Sequence, residues 1–279
     1  MRIAVIGAKG MLGQDLMAAC RQSGVDAVGF DLPELDITRD NGGFDQLPAC
    51  DWVVNCAAYT DVDGAESHRD LAFAVNADGA GRIGRWCAAK GIPLLHVSTD
   101  YVFDGRLGRP LAEDDPVNPV SVYGETKLAG EKAIQVAGGV HVIARTQALF
   151  GVHGKSFIRA IMTKLAQDNE PLRVVNDQTV CPTYTVHLAE GILRLMETGE
   201  HGIVHVSASG SCTWYEFACA IAARVKPGAV IKPVMATEYP RPACRPAYSV
   251  LNKSRYESWT GQPMPVWQDG LSEYLKEVI

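Results

Sequence analysis

The 279-residue chain has no apolar run of the ~18 residues that a membrane-spanning helix needs. Its eight cysteines (Cys20, Cys50, Cys56, Cys87, Cys181, Cys212, Cys219 and Cys244) form no C-x-x-C pair, and no Cys/His cluster has metal-ligand spacing, which argues against a zinc module. Basic charge is in deficit. The 26 Lys and Arg stand against 32 Asp and Glu, net −6, so the electrostatic footprint of a nucleic-acid binder is missing. Repeats and low-complexity segments are absent. The opening MRIAVIGAKG is too short in its apolar part, and too broken by glycine, for a signal peptide. The expectation is a cytoplasmic protein whose cysteines are buried free thiols.

What the chain does have is a 47% apolar composition, enough for one large α/β domain or such a domain with a small lobe. Residues 2–6 read as a short apolar strand and 11–22 as a helix. Between them lies Gly7-Ala8-Lys9-Gly10-Met11-Leu12-Gly13, a G-x-x-G-x-x-G turn. In this context Gly7 allows the tight turn, Gly10 lets backbone approach a pyrophosphate, and Gly13 lets helix and strand pack closely. The helix start offers free N–H groups and a positive dipole end to phosphate. A second strand, 26–30, ends at Asp31, near where an acidic residue binds adenosine ribose hydroxyls. Asp36-Ile37 competes for the same adenine end, and Arg39 is near enough to serve a 2′-phosphate.

A third strand, 52–55, is followed by Cys56-Ala57-Ala58, small residues where a bulky side chain would collide with a cofactor. Tyr59, Thr60, Asp61, Val62 and Asp63 then open a loop over that crevice. Residues 65–90 read as helix with one or two breaks; Asn76 sits in the middle, either solvated or buried at a site. The fourth strand, 92–97, runs into Ser98-Thr99-Asp100-Tyr101-Val102-Phe103-Asp104-Gly105 at the end where open α/β sheets bind ligands. A hydroxyl there can hydrogen-bond a substrate carbonyl. In 122–132, VYGETKLAGEK, good helix formers follow Ser121, a candidate N-cap. Tyr123 and Lys127 are four apart and share a helix face. A nearby cation would lower the phenol's pKa and make Tyr123 a general acid or base.

Beyond residue 132 the expected elements are strands at 140–145, 172–175 and 202–207, and helices at 157–168, 184–197, 213–225 and 264–278. Residues 227–246, rich in Pro and basic side chains, show no period.

The succession G-x-x-G-x-x-G, N-x-A-A, V-S-T-D-Y-V-F-D-G and Y-G-E-T-K-L-x-G-E resembles the extended short-chain dehydrogenase/reductase superfamily. Within it the chain is most similar to the dTDP-4-dehydrorhamnose reductase family. Counterparts of Ala144-Arg145-Thr146, of Val174–Gln178 running to Cys181-Pro182-Thr183, and of the stretch 239–251 around Arg245 carry that likeness along the whole chain. The resemblance implies a Rossmann-type, doubly wound α/β parallel sheet with a smaller C-terminal substrate-binding lobe. Residues 1–150 would bind NAD(P), 151–279 would form mainly the substrate lobe, and 171–198 would return to the first domain.

It also implies an NAD(P)H-dependent oxidoreductase acting on a nucleotide-sugar substrate at its C4 keto group, with no nucleic-acid or membrane partner. Tyr123 would be the proton donor, Lys127 would bind ribose and depress the Tyr123 pKa, and Thr99 would polarise the carbonyl. Gly7, Gly10, Met11, Leu12, Gly13, Asp31, Asp36, Ile37, Ala57, Ala58 and Tyr59 would line the cofactor with Tyr123 and Lys127. Thr60, Val62, Tyr101, Asn76 and Arg245 would face the sugar. NADPH is the expected cofactor, with NADH also accepted.

Two departures stand out. Ala148 replaces a tryptophan that packs against the sugar in the family. Some members also form a homodimer bridged by Mg²⁺; Asp15 matches one ligand, but Val186 stands where a glutamate is expected, with Glu190 one turn on. A homodimer and Mg²⁺ are thus left open, and no metal ligand is assigned. Two other activities fit the same motifs: a nucleotide-sugar epimerase or dehydratase, and a non-catalytic subunit resembling the β subunit of methionine adenosyltransferase. Dehydratases carry an acidic residue where Tyr101 stands, and a regulatory subunit has no need of Thr99, Tyr123 and Lys127 together.

Overall fold

Runs of Ile, Val, Leu and Ala that have no polar face become strands buried on both sides, the condition of a parallel sheet. The computed structural model describes residues 1–40, 42–167 and 171–279. Its central sheet contains β1 (Arg2–Ile6), β2 (Asp26–Phe30), β3 (Trp52–Asn55), β4 (Leu94–Thr99), β5 (His141–Thr146) and the strand Gly202–His205. All neighbours are parallel, and the order is β2-β1-β3-β4-β5 followed by Gly202–His205. The chain leaves β1 for β2 on one side, then crosses back to β3 on the other. That reversal opens a crevice at the C-terminal ends of β1 and β3, the place where such sheets bind ligands.

Helices cover both faces. Met11–Gln22 and Thr185–Thr198 pack together on one, around a core that includes Leu16, Val54, Leu188 and Ile192. Ala80–Lys90 and Val122–Ala137 pack together on the other, with Ile83, Leu94, Ile134 and Ile143 between them and the sheet. This is the expected doubly wound α/β architecture. A third core, built on Phe150, Tyr184, Phe217 and Trp267, holds the C-terminal lobe. Among the described residues no helix is long and apolar enough to cross a membrane.

Several elements differ from expectation. The segment expected as one broken helix over 65–90 is Val62–Ser67, Arg69–Phe73, a π-helical turn at Ala74–Gly79, and Ala80–Lys90. The fourth strand runs two residues further than its apolar run, because Ser98 and Thr99 pair with Arg145 and Thr146 of β5. Leu172–Val175 does form a strand, but it does not return to the main sheet. It pairs with Ile231–Val234, which lies inside the segment that showed no period. Pro233 removes one N–H donor there, and Lys232 and Pro233 are exposed, so this short edge strand leaves no alternating pattern to read. The helix expected over 157–168 is Phe157–Gln167; residue 168 lies outside the described residues. Trp214–Val225 opens with a capping box, Thr213 accepting from Glu216 N–H and Glu216 from Thr213 N–H. Of the cysteines expected to be buried, Cys244 is exposed and Cys50, Cys56 and Cys219 are only half-buried.

Candidate active site

The helix Val122–Ala137 starts where Ser121 Oγ accepts the Gly124 N–H at 3.2 Å. It lies against β4 and β5, and three of its polar side chains point inward: Thr126, Lys127 and Glu131 are 0%, 1% and 1% exposed. Each has partners. Arg145 of β5 grips Glu131 with two hydrogen bonds, Nε to Oε1 at 2.9 Å and Nη2 to Oε2 at 2.7 Å. Ser98 Oγ also donates to Glu131. Ser98 therefore serves the frame, while its neighbour Thr99, on the opposite side of the pleat, serves the cavity. The final glutamate of Y-G-E-T-K-L-x-G-E was legible as part of a motif, but its burial against Arg145 was not.

Thr99, Tyr123 and Lys127 come together at one end of a cavity of about 990 Å³. Tyr123 lies edge-on to Tyr101, ring centroids 5.5 Å apart. Burial pushes the Tyr123 phenol up to about 12, opposed by its hydrogen bond with Thr99 and reinforced by Asp100. Burial lowers Lys127 to about 8, opposed by Glu131 and Cys56. Lys127 Nζ donates to Val97 O at 2.7 Å and lies 3.3 Å from His96 Nε2. The expected depression of the Tyr123 pKa by Lys127 is thus corrected. In this state the lysine is turned to the β4 backbone and burial dominates, so Tyr123 keeps its proton at neutral pH.

The other end of the cavity is lined by the glycine turn. Gly7 has φ +81°, and a Cβ on it would sit 2.5 Å from Ala57 N, so glycine is required for the turn. A Cβ on Gly13 would fall 2.1 Å from Gly7 O, so Gly13 is required for helix–strand packing. Gly10 is the N-cap of Met11–Gln22 and offers no side-chain cap, which leaves N–H groups of the first helical turn without a capping side chain beside the cavity. Met11, Leu12, Ile37, Ala57, Ala58 and Tyr59 line the same space, with Thr60, Val62, Tyr101 and Arg245 on the side toward the lobe.

The two acidic candidates at the adenine end both have inward work. Asp31 accepts Lys9 N–H and Leu32 N–H, each at 2.8 Å, tying the glycine turn to the end of β2. Asp36 accepts from Thr38 and pairs with Arg39 at 2.9 Å; the Thr38 hydrogen bonds hold it below the usual carboxylate range. Lys9 was not singled out from sequence. It sits between the first two glycines of the motif, and its ammonium bonds Leu32 O at 2.7 Å and Glu34 Oε2 at 3.3 Å on the cavity rim.

Asn76 is placed differently from either sequence reading. It is 1% exposed, so it is not solvated, and it does not line the cavity. Its amide bonds Tyr59 N, Tyr59 O and Thr126 Oγ1 at 2.8, 3.0 and 3.0 Å. It pins the loop after β3 to the helix Val122–Ala137. Arg245 lines the large cavity and reaches Asp63 Oδ2 at 3.1 Å, tying the late segment to the first turn of the helix Val62–Ser67. Ala243 N–H donates to the same carboxylate group at 3.2 Å. Arg245 also borders a second cavity of about 440 Å³ that carries Lys155, Lys164, Arg173, Arg241, Phe157 and Trp214. That cavity shares Lys155, Gln178, Trp214 and Arg245 with the first.

Among the described residues no group of three or more His, Cys, Asp or Glu side chains is placed to hold a metal ion. Glu190 pairs with Arg194 at 3.3 Å, and Asp15 lies beside Thr185 and His153, its carboxyl raised by burial. Ala148, the departure from the family, lines the large cavity with φ +47°, the left-handed region that costs an L-residue about 1 kcal/mol. Ala148→Gly is therefore expected to raise the thermal midpoint by about 2–4 °C. Calorimetry of the two proteins checks this, and an unchanged or lower midpoint would show that the backbone there is not strained.

The family model described as RmlD substrate binding domain matches residues 1–279. A Bacillus subtilis spore coat polysaccharide biosynthesis protein, SpsK, is 38% identical over 99% of this chain and 97% of its own. A dTDP-4-dehydrorhamnose reductase of Mycobacterium tuberculosis is 38% identical over 98% of this chain and 92% of its own. Among solved structures, a Clostridium acetobutylicum dTDP-4-dehydrorhamnose reductase superposes with TM-score 0.95 at 36% identity, covering 100% and 99% of the two chains. A Bacillus anthracis one, in complex with NADP, does so with TM-score 0.94 at 34% identity, covering 99% of both. The chain belongs to the RmlD substrate binding domain family.

Proposed function

We propose that the chain reduces the C4 keto group of dTDP-4-dehydro-6-deoxy-L-mannose with NADPH, giving dTDP-L-rhamnose in the cytoplasm for cell-surface polysaccharide. The observation that carries this reading is one cavity with a phenol, a hydroxyl and a lysine amine at one end and an uncapped helix start behind glycine at the other. A dinucleotide fits that space: Gly10 leaves room for a pyrophosphate, and Ala57 and Ala58 leave room along the strand ends. NADPH, when bound, supplies the hydride.

The chain's own residues do the rest. Tyr123, protonated across the neutral range because burial raises its pKa, gives its proton to the C4 oxygen as charge develops there. Thr99 donates a hydrogen bond to the same oxygen. Lys127 would hold the ribose beside Tyr123. Gly7, Gly10, Met11, Leu12 and Gly13 would line the pyrophosphate, and Asp31, Asp36 and Ile37 would border the adenosine. Lys9 supplies a cation on the cavity rim, while Arg39 is paired with Asp36 and does not line the cavity; the solved relative in complex with NADP supports NADPH. Thr60, Val62, Tyr101 and Arg245 face the sugar, and the small cationic cavity with Trp214 takes the nucleotide diphosphate. By this division residues 1–150, with the helix Thr185–Thr198 and the strand Gly202–His205, hold the cofactor, and the remainder of 151–279 holds the sugar nucleotide. The product should carry two more hydrogens than the substrate. Mass spectrometry of a reaction with the 4-keto sugar nucleotide and NADPH tests this, and recovery of an isomer of equal mass would overturn it.

Asp63 gives a further test. It is the link between the crevice loop and Arg245, and its carboxyl is held below the usual range by hydrogen bonds and charge from Arg245 and Ala243 that outweigh its burial. Asp63→Asn should raise the sugar-nucleotide KM about tenfold, ~1.4 kcal/mol, with NADPH affinity unchanged. Equal loss of affinity for both ligands would show that the loop does not act through Arg245.

A further inference from the structure

Lys127 is fully buried, and its surroundings decide its proton state as much as any ligand does. Below it, on β4, His96 is 1% exposed, with Nε2 at 3.3 Å from Lys127 Nζ. His96 Nδ1 lies 3.0 Å from Asn55 Nδ2 on β3. Asn55 is 1% exposed as well, and its Oδ1 accepts the Ala57 N–H at 3.0 Å. These contacts have one consistent hydrogen assignment. The Ala57 N–H can only donate, so the Asn55 oxygen must face it. The Asn55 NH₂ then faces His96 Nδ1 and donates, so Nδ1 carries no proton. A neutral imidazole must place its proton on Nε2, pointing at Lys127. Lys127 already donates to Val97 O. Only the uncharged amine has a lone pair to accept from His96.

We propose that His96 is a positioning residue for Lys127: oriented by Asn55 and Ala57 with its proton on Nε2, it donates to the Lys127 amine and couples the charge of Lys127 to its own tautomer. When Lys127 takes up a proton, His96 moves its proton to Nδ1 so that Nε2 can accept from the ammonium. Asn55 must then turn its oxygen to Nδ1 and give up the Ala57 N–H. The imidazole stays neutral throughout, because burial first, and the Lys127 charge second, hold its pKa well below the usual histidine value. The other ionisable groups around Lys127 are Cys56 at the end of β3, and Glu131 and Tyr123 on its own helix; Glu131 is already paired with Arg145 of β5. Burial disfavours the charged lysine, and Glu131 and Cys56 favour it. By the hydrogen assignment above, the His96 Nε2–H opposes the charge further. This rests on Lys127 being the residue at the cofactor ribose only for its catalytic consequence; the coupling itself is a property of the free protein.

The test uses the intact chain without ligand, labelled with ¹⁵N in histidine and ¹³C in lysine. The ring-nitrogen shifts of His96 report its tautomer, and the Lys127 Cε shift reports its charge. At pH 9.5, above the Lys127 pKa of about 8, His96 should hold its proton on Nε2. On acidification it should switch to Nδ1 with the same midpoint as Lys127. Asn55→Asp, whose carboxylate can only accept, should lock His96 with its proton on Nδ1 at every pH and raise the Lys127 midpoint by a unit or more. His96→Gln, which can accept from the ammonium by turning its amide, should also raise that midpoint. A His96 proton on Nδ1 at pH 9.5, or a tautomer that ignores the Lys127 titration, would overturn the proposal. The wild-type spectra decide it even where a variant fails to fold. Absence of reductase activity would count against the proposed function and leave the coupling standing.

Discussion

Tyr123→Phe is expected to lower kcat by about 10²–10⁴-fold while leaving the affinities for NADPH and sugar nucleotide within about threefold, because only a proton donor is removed. The ring stays edge-on to Tyr101, so packing is preserved. The phenol's pKa near 12 fixes the sign of the pH dependence: the acid form is populated throughout the neutral range and is lost only as the pH approaches that value. Activity should therefore not fall between pH 6 and 8 through Tyr123 itself. Thr99→Val, which removes one hydrogen bond to a developing oxyanion, should cost less, about 10- to 1000-fold. Steady-state rates with separate measurement of ligand affinity check both. A Tyr123→Phe protein that turns over within about tenfold of wild type would remove Tyr123 from the mechanism.

Gly10→Val should weaken NADPH binding by about 100-fold or more, ~2.7 kcal/mol, with the fold intact. The three glycines of the turn separate cleanly on this point. A Cβ at Gly7 or Gly13 would collide with backbone at 2.5 or 2.1 Å, so substitutions there disturb the protein itself. A Cβ at Gly10 would meet only Gly7 O at 3.2 Å, and φ there is −71°, which any residue adopts. What a side chain at Gly10 fills is the space in front of the helix start. Fluorescence titration of a folded Gly10→Val protein gives the answer, with Gly10→Ala as the milder second variant. Near-normal NADPH affinity in both would dissociate this turn from cofactor binding.

The strands β1–β4 were legible because local rules and the global fold agree there. Short apolar runs became those strands, and further on Tyr123 and Lys127 share a helix face because four residues is about one turn. What sequence left hidden depends on contacts between distant segments. Asn76 reads as a poor helix former, and only the fold shows that its amide ties Tyr59 to Thr126. Lys127 reads as a cation free to act on Tyr123, and only the fold shows Val97 O and His96 around it. Asp31 reads as a ribose ligand, and only the fold shows it holding the glycine turn. Ile231–Val234 was invisible because a two-stranded edge ladder containing proline needs no alternation.

The same division explains the lobe. Its core aromatic residues Phe150, Tyr184, Phe217 and Trp267 come from four separate segments, and no local pattern announces that they meet. The late Arg245 carried a motif signal, but its partner Asp63 lies 182 residues away, in the first turn of the helix Val62–Ser67.

A reductase consumes NADPH as the sugar is reduced, whereas an epimerase returns its cofactor unchanged. Incubation of the protein with dTDP-4-dehydro-6-deoxy-L-mannose and NADPH, followed at the nicotinamide absorbance band, tests this difference most directly. The trace should fall, consuming one NADPH per carbonyl reduced, and should flatten in Tyr123→Phe. A flat trace with the wild-type protein, whether the sugar is recovered changed or unchanged, would contradict the proposed reduction.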